Sequence, residues 1–492
     1  HAGYGLRPSQ VFAARTPQGI APSLEVLSVE QTPADTATFS IGEDLRARLV
    51  EQYGTFSQAA PVLPLQQGML FHIQAKREDR AVYNAFTRLQ FRGALDPQRL
   101  RRALDALLTR YPQLAGLFDS GGSDTPLLLL PHSDNLQWPW QFQDLSALDE
   151  AARRARLQAL EAEMLAAEYS PERFTGMLGA ALVRVAERHY QLLLVIHHLV
   201  VDGWSTPLLL QDLLTAYRED SAALPALPHS YPQVLASLVQ RDTAPGRALW
   251  QQTLAGCQPT VLFGEAGGDH VEAGKPVSEY ELRLDPDTTA ALNREIRRRG
   301  LTLNAVMQGV WAQMLADMSG RRDVIFGTPV SGRTAPVPGI ESQVGLFLNT
   351  LPVRVPLNRN QSLWEQLPAI QQRHSERLEN DTLGLAEIQQ IAGTQQLFDT
   401  LLVVENYPDS GYLDQALSGA DGEPLVMGDI HNRGYSHYPL ALLAIPGEEL
   451  TLLVENRGAV ADAEWIARRA QQLLVGLLEQ PQQPIRQMPA LS

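Results

Sequence analysis

Ala85, Thr87, Leu89 and Phe91 alternate with Phe86, Arg88 and Gln90, the two-residue repeat of a half-buried strand. The period then changes. Asp96-Pro97 opens a stretch in which Leu100, Ala103, Leu104, Leu107 and Leu108 fall on one stripe, predicting a helix that stops before Pro112. Leu157 to Tyr169 reads as a second amphipathic helix, and Pro64 opens a short one within Leu63 to His72. Two apolar runs, Ala181 to Val185 and Tyr190 to Ile196, bracket Ala186-Glu187-Arg188-His189 and predict a hairpin. Ser205, Thr206 and Pro207 start a helix that runs to Tyr217. Further on, Leu303 to Arg333 reads as a long helix, a Ser-Gly stop and a strand. Val344 to Val355 is a strand broken near Asn349-Thr350, and Leu450 to Val454 is a late strand. Helical and strand patterns interleave throughout, which predicts an α/β protein.

Size and charge narrow this picture. A chain of 492 residues exceeds one typical core, so two lobes of roughly 200 residues each are expected. Hydrophobic content of 44% with 19% charge suits a globular fold. A net charge of −15 argues against nucleic acid or an anionic membrane as the main partner. The lone Cys257 rules out an internal disulfide and a cysteine-based metal cluster, and fits the cytoplasm. No apolar run approaches the ~18 residues of a membrane span. Gly264 to Pro276 misses a phosphate loop because Asp269 stands where its first glycine belongs. Neither a G-x-S-x-G elbow nor H-E-x-x-H occurs. Glu219 to Pro232, with three prolines, reads as the connection between lobes.

Candidate chemistry gathers in Tyr190 to Ser205, Y-Q-L-L-L-V-I-H-H-L-V-V-D-G-W-S. Strand alternation lets only one of His197 and His198 face a given cavity. Asp202 and Gly203 follow, before the helix start. Asp202 either orients a histidine or pairs with a buried arginine and holds the turn. Glycine at 203 permits close approach of a reacting group or a positive φ. Asn349, polar within an apolar run, either lines a wet channel or is satisfied by backbone.

H-H-x-x-x-D-G-W-S resembles the active-site motif of condensation domains from non-ribosomal peptide synthetases. Other segments resemble the same family in order: L-P-L-Q-Q-G-M-L-F-H from Leu63, R-Y-P-Q-L-A-G-L-F from Arg110, the Leu303 to Arg333 run, and V-G-L-F-L-N-T-L-P-V-R-V from Val344. F-D-T-L-L-V-V-E-N-Y-P from Phe398 and Y-S-H-Y-P-L from Tyr435 continue it, so the resemblance covers roughly residues 58 to 485. One departure is Ala115, where the family usually has arginine.

The resemblance implies two chloramphenicol-acetyltransferase-like lobes in a V-shaped pseudo-dimer around a central tunnel. It implies His198 and Gly203 as catalytic, with His197, Asp202 and its partner Arg333 as structural. Trp204, Ser205 and Asn349 are then the candidates for substrate contact, and no metal is needed. The implied reaction joins a donor thioester on an upstream carrier protein to the amine of an acceptor thioester on a downstream one. The phosphopantetheine arms belong to those carriers, and an adenylation domain is a neighbour. The form of the Leu63 motif is common where the donor residue is D-configured. Epimerization domains continue the histidine motif differently, and a silent recruiting relative would have lost His198 or Gly203. The expected divisions are 1–30, a carrier-domain remnant, linker or helical leader; 31–57, a linker; 58–225, the first lobe; and 226–492, the second.

Overall fold

The computed structural model describes residues 4–5, 10, 17–26, 39–75, 83–121, 125–132, 136–167, 169–219, 224–263, 278–335, 337–405, 417–418, 423–433, 438–457 and 462–487. At the start, β1 (Tyr4–Gly5) pairs with β2 (Glu25–Val26), and most of the suspected carrier remnant at Leu6 to Ala21 lies outside the described residues.

The first half supplies β3 (Gln58–Pro61), β4 (Asn84–Gly93), β5 (Leu117–Asp119), β6 (Leu127–Leu130), β7 (Trp140–Asp144), β8 (Leu178–Ala186) and β9 (His189–His197). The second half supplies β10 (Ser278–Arg283), β11 (Asp323–Val330), β12 (Asn349–Pro356), β13 (Thr400–Val404), β14 (Leu417–Ser418), β15 (Pro424–Arg433), β16 (Leu440–Ile445) and β17 (Thr451–Asn456). One six-stranded sheet has the order β14-β15-β4-β9-β8-β7, and a second has β10-β17-β16-β13-β11-β12. β3, β6 and β5 form a small third sheet.

Local sequence explains most elements. The helix Pro97–Arg110 is capped by Asp96, whose carboxylate accepts from the N–H groups of Gln98 and Arg99, and its buried residues are the five on the apolar stripe. The helix Leu303–Ser319 ends at Gly320, which takes the left-handed conformation that favours glycine. The helix Glu150–Ala166 begins two turns before the apolar repeat suggests. Its opening turns carry Arg153, Arg154 and Arg156 rather than core residues, and Asp149 caps it through the Ala152 N–H.

Sequence divisions do not match spatial ones. The span 31–57, expected as a linker, contains the helix Glu43–Tyr53. Its Leu49, with Phe56, is buried against Leu117, Leu127 and Leu129 of the small sheet, so apolar burial binds it to the first lobe. The break expected near 225 also moves. The helix Tyr231–Val239 puts Tyr231, Val234 and Leu235 into the first lobe's core, alongside Val344, Leu346, Phe347 and Leu425 from later in the chain. β15 completes the exchange by pairing antiparallel with β4, from Leu425 opposite Gly93 to Arg433 opposite Phe86. The second half of the chain therefore reaches back into the first lobe twice.

Candidate functional site

β9 is held on both edges, by β4 and by β8, so the two histidines at its end have fixed directions. His197 is 0% exposed, and its ring meets that of Tyr83 edge to face, with centroids 6.0 Å apart. Its Nδ1 accepts from the Leu199 N–H at 3.1 Å. Burial, with the neighbouring His198 adding to it, pushes its pKa down to about 3, so the ring is neutral at physiological pH. His198 is half-buried, and its own N–H is tied to the Tyr83 carbonyl at 2.8 Å. The His198 Nδ1 lies 3.3 Å from the Val201 carbonyl, which only accepts, so Nδ1 carries the proton and Nε2 keeps its lone pair. Burial lowers the His198 pKa, against opposing effects of Val201 and Asp202. A neutral imidazole with a free Nε2 lone pair can accept a proton or a hydrogen bond.

The turn after His198 is fastened at Asp202, 1% exposed. Oδ1 accepts from the Ser205 N–H (2.9 Å) and hydroxyl (2.8 Å) and from Arg333 Nη2 (3.1 Å). Oδ2 accepts from Arg333 Nη1 (2.6 Å) and from the Phe347 N–H (3.0 Å). Arg333 also donates to the Gln343 carbonyl at 3.2 Å, and its guanidinium lies 4.5 Å from the centre of the Phe347 ring. The two readings of Asp202 are thus separated by geometry: its oxygens face Arg333 and the turn, not a histidine ring. Two glycines permit this close approach. At Gly332 (φ 64°) a Cβ would sit 1.8 Å from the Phe347 oxygen, and at Gly345 (φ 158°) it would strike the Tyr231 ring.

A family model described as the condensation domain matches residues 56–492. The chain belongs to the condensation-domain family. Vanchrobactin synthetase VabF of Vibrio anguillarum is 42% identical over 444 residues, covering 90% of this chain and 15% of that protein. Chondramide synthase cmdD of Chondromyces crocatus is 31% identical over 419 residues, covering 82% of this chain and 10% of that protein. The chain thus spans a small part of the length of these curated relatives. Among solved structures, the first condensation domain of the calcium-dependent antibiotic synthetase, in complex with a substrate analogue, superposes with a TM-score of 0.70 at 20% identity. That match covers 89% of this chain and 100% of that one. A four-domain non-ribosomal peptide synthetase bound to AMP and glycine gives 0.74 at 16% identity, over 89% of this chain and 34% of that one. The fold is therefore the two-lobed, chloramphenicol-acetyltransferase-like one of non-ribosomal peptide synthetase condensation domains.

Within this condensation domain the remaining candidate residues separate. Ser205 is 0% exposed, and its hydroxyl lies between Asp202 and the backbone of Gly345, so it holds the turn and has no face for a substrate. Asn349, 7% exposed, opens β12 and spends both amide hydrogens on the Asp381 and Leu383 carbonyls, at 3.0 and 2.7 Å. That is the backbone-satisfied alternative, and the strand break expected at Asn349-Thr350 falls just before it. Trp204 donates its indole N–H to the Glu341 carbonyl at 2.8 Å while its ring stays partly open. Gly203 is half-buried and is not among the glycines with positive φ, so its case rests on close approach alone. At the start of the helix Ser205–Glu219 the Ser205 N–H is already taken by Asp202 and is not offered to an anion. Ala115, at the family's arginine position, is fully buried, and Asp202 has its full set of partners without it.

Sequence reasoning passed over Gln66. Fully buried, it accepts from the Leu63 N–H at 2.8 Å and donates to the Leu199 carbonyl at 2.8 Å, one residue past His198. Its amide nitrogen also lies 3.5 Å from the Tyr231 hydroxyl, which donates to the Leu346 carbonyl at 3.3 Å. A glutamine at the third position of a helix opened by proline is the one signal of it in the sequence. Among the described residues no three histidine, cysteine or acidic side chains converge as a metal site. No described helix is long and apolar enough to cross a membrane.

Proposed function

We propose that this domain forms a peptide bond between two carrier-bound thioesters. The amine of the acceptor, on a downstream carrier, attacks the donor's thioester carbonyl, on an upstream carrier. A C–N bond forms, the C–S bond breaks, and the donor carrier's thiol leaves with a proton. The observation that carries this reading is the state of His198: neutral, half-open, with Nδ1–H fixed by Val201 and Nε2 free.

The amine is roughly half neutral near its pKa of ~7.7–8.0, so the removal of its first proton is a small task. His198 therefore acts mainly by holding the amine on line with the carbonyl, and by accepting its proton as the bond forms. Burial supports that role: an imidazolium would donate to the amine lone pair and block attack. Gly203 leaves room for the carbonyl, and the partly open Trp204 ring is placed to border it. The acyl chains approach along a tunnel between the lobes. The phosphopantetheine arms belong to the two carriers, and an adenylation domain adjoins the domain in a cytoplasmic assembly line. The Leu63 to His72 sequence supports a donor ending in a D-configured residue.

Single-turnover condensation with loaded carriers tests the reading. His198→Ala is expected to slow bond formation by about 10²–10⁴, with most activity left for the least basic acceptors. Gly203→Ala is expected to lose rate at an unchanged thermal midpoint. Donors ending in D residues should outpace their L counterparts. No turnover by the native domain would mean a recruiting module instead, and deuterium loss at the donor α-carbon would mean an epimerase.

A further inference from the structure

A second cluster of unspent chemistry lies at the other end of β9. β4 and β9 run side by side with Arg92 opposite His189 and Gln90 opposite Gln191. Directly opposed side chains share a face of a sheet, so these four project together. The first turns of the helix Glu150–Ala166 bring Arg153 over them, closing a cleft of about 220 Å³ lined by all five residues. Among the described residues no acidic side chain lines it.

The contrast with neighbouring arginines is what matters. On and beside the same helix Arg154 is paired with Glu150 (2.9 Å), Arg156 with Glu163 (2.9 Å) and Arg88 with Glu161 (3.5 Å). Arg188, on the adjoining hairpin, is paired with Glu423 at 2.9 Å. Among the described residues neither Arg92 nor Arg153 has an acidic partner, although acids outnumber bases by 55 to 40 in the whole chain. Two like charges facing one cleft repel each other, and the His189 ring stands directly across the strand pair from Arg92. A bound anion relieves that repulsion.

We propose that this cleft binds a phosphate group. Two guanidinium forks present paired N–H donors that match phosphate oxygens, while His189, Gln90 and Gln191 supply further hydrogen-bonding groups. The site is separate from the catalytic turn. β9 spans roughly 25 Å between its ends. Tyr190, Leu192 and Leu194, which alternate with His189 and Gln191, face the large core on the other side of the sheet.

Calorimetric titration of the whole domain with inorganic phosphate and, separately, with glycerol 1-phosphate tests this, ionic strength being held constant with chloride. Saturable binding at one site is expected, weakened by about tenfold or more in Arg92→Gln/Arg153→Gln. That variant should keep its native thermal midpoint without phosphate and its native condensation rate. Glycerol 1-phosphate binding at least as tightly as inorganic phosphate assigns the site to phosphate monoesters; weaker binding assigns it to the free ion. No saturable heat from the native domain, or equal affinity in the double variant, overturns the proposal. So does Arg92→Lys/Arg153→Lys binding as tightly as the native pair, since diffuse charge would then suffice without the forks.

Discussion

Each large sheet contains a hairpin that is followed in the chain by a helix. In the first lobe it is β8–β9 followed by Ser205–Glu219; in the second it is β16–β17 followed by Ala463–Glu479. An aspartate holds the start of each helix: Asp462 immediately before the second, and Asp202 three residues before the first. Asp462 is exposed, and its carboxylate accepts from the Glu464 N–H at 3.0 Å as an ordinary cap. Asp202 also caps its helix, through Ser205, but it is buried and adds Arg333 and the Phe347 N–H from the far half of the chain. What distinguishes the turn after His198 is the second set of partners, which ties it to the opposite half of the sequence.

The largest effect is expected from breaking that tie. Arg333→Met leaves the Asp202 carboxylate buried without its cation, at a cost of roughly 3–5 kcal/mol. Asp202→Leu combined with Arg333→Met should recover part of the loss, because two charges are then removed together. Urea unfolding of the native domain and the two variants measures this. A loss below about 1 kcal/mol for Arg333→Met would make the pair no more than a surface bridge.

Gln66→Leu probes the same turn from the other side. It orphans the Leu63 N–H and the Leu199 carbonyl, each worth about 1–3 kcal/mol when buried. As a positioning residue for His198, Gln66 should also show in kinetics. Condensation should slow with little change in the apparent affinity for loaded carriers, and Gln66→Glu should restore less than native activity because a carboxylate cannot donate to Leu199. Unchanged single-turnover rates would confine Gln66 to a structural role.

The lobes also allow a comparison by pH, since each buries a neutral histidine. Burial holds both His197 and His374 down to about 3, and Arg377 adds to the effect at His374. A lowered folded-state pKa means that below the ordinary value of ~6.5 the unfolded chain takes up a proton that the folded chain refuses. The contribution of these two histidines is therefore flat above pH ~6.5 and falls as the pH drops from there toward 3, by up to about 1.4 kcal/mol per pH unit for each. His374→Gln should lose about 1.4 kcal/mol less than the native domain between pH 7.5 and 5.5. An identical pH dependence in the two proteins would show that His374 takes up its proton as readily in the folded state as in the unfolded one.

How much of this was legible in the sequence depends on the range of the interaction. The helix Pro97–Arg110 was readable to its individual buried residues, because cap, stripe and stop all lie within a few turns. Arg333 as the partner of Asp202 came from family resemblance, not from spacing, and no local rule connects residues 131 positions apart. The pairing of β15 with β4 had no signal either: strand patterns say which residues alternate, not which strand they join. Family resemblance makes Ser205 and Asn349 candidates for substrate contact, with backbone satisfaction the alternative for Asn349. Both are consumed by backbone and by Asp202, a fact visible only once distant segments are placed around them.

The smallest effect is expected at the cap that lacks the second set of partners. Asp462→Ala removes one side-chain acceptor from an exposed helix start and leaves the Glu464 N–H to water, so the cost is about 1 kcal/mol, within the ~0.5–2 kcal/mol of such caps. The helix it starts buries Ile466, Ala470, Leu473, Leu474 and Leu477 against the second lobe's core, and that apolar face rather than the cap keeps it in place. Condensation should be unchanged, because among the described residues no hydrogen bond or ion pair joins Asp462 to the turn after His198. The informative quantity is the ratio of the two aspartates. Asp202→Ala should destabilise several-fold more than Asp462→Ala in the same urea titration, since it removes the same kind of cap and also strands Arg333. Equal losses at the two positions would mean that the Arg333 bridge adds nothing to the cap. The first hairpin–helix unit would then stand apart from the second by its histidine pair, His197 and His198.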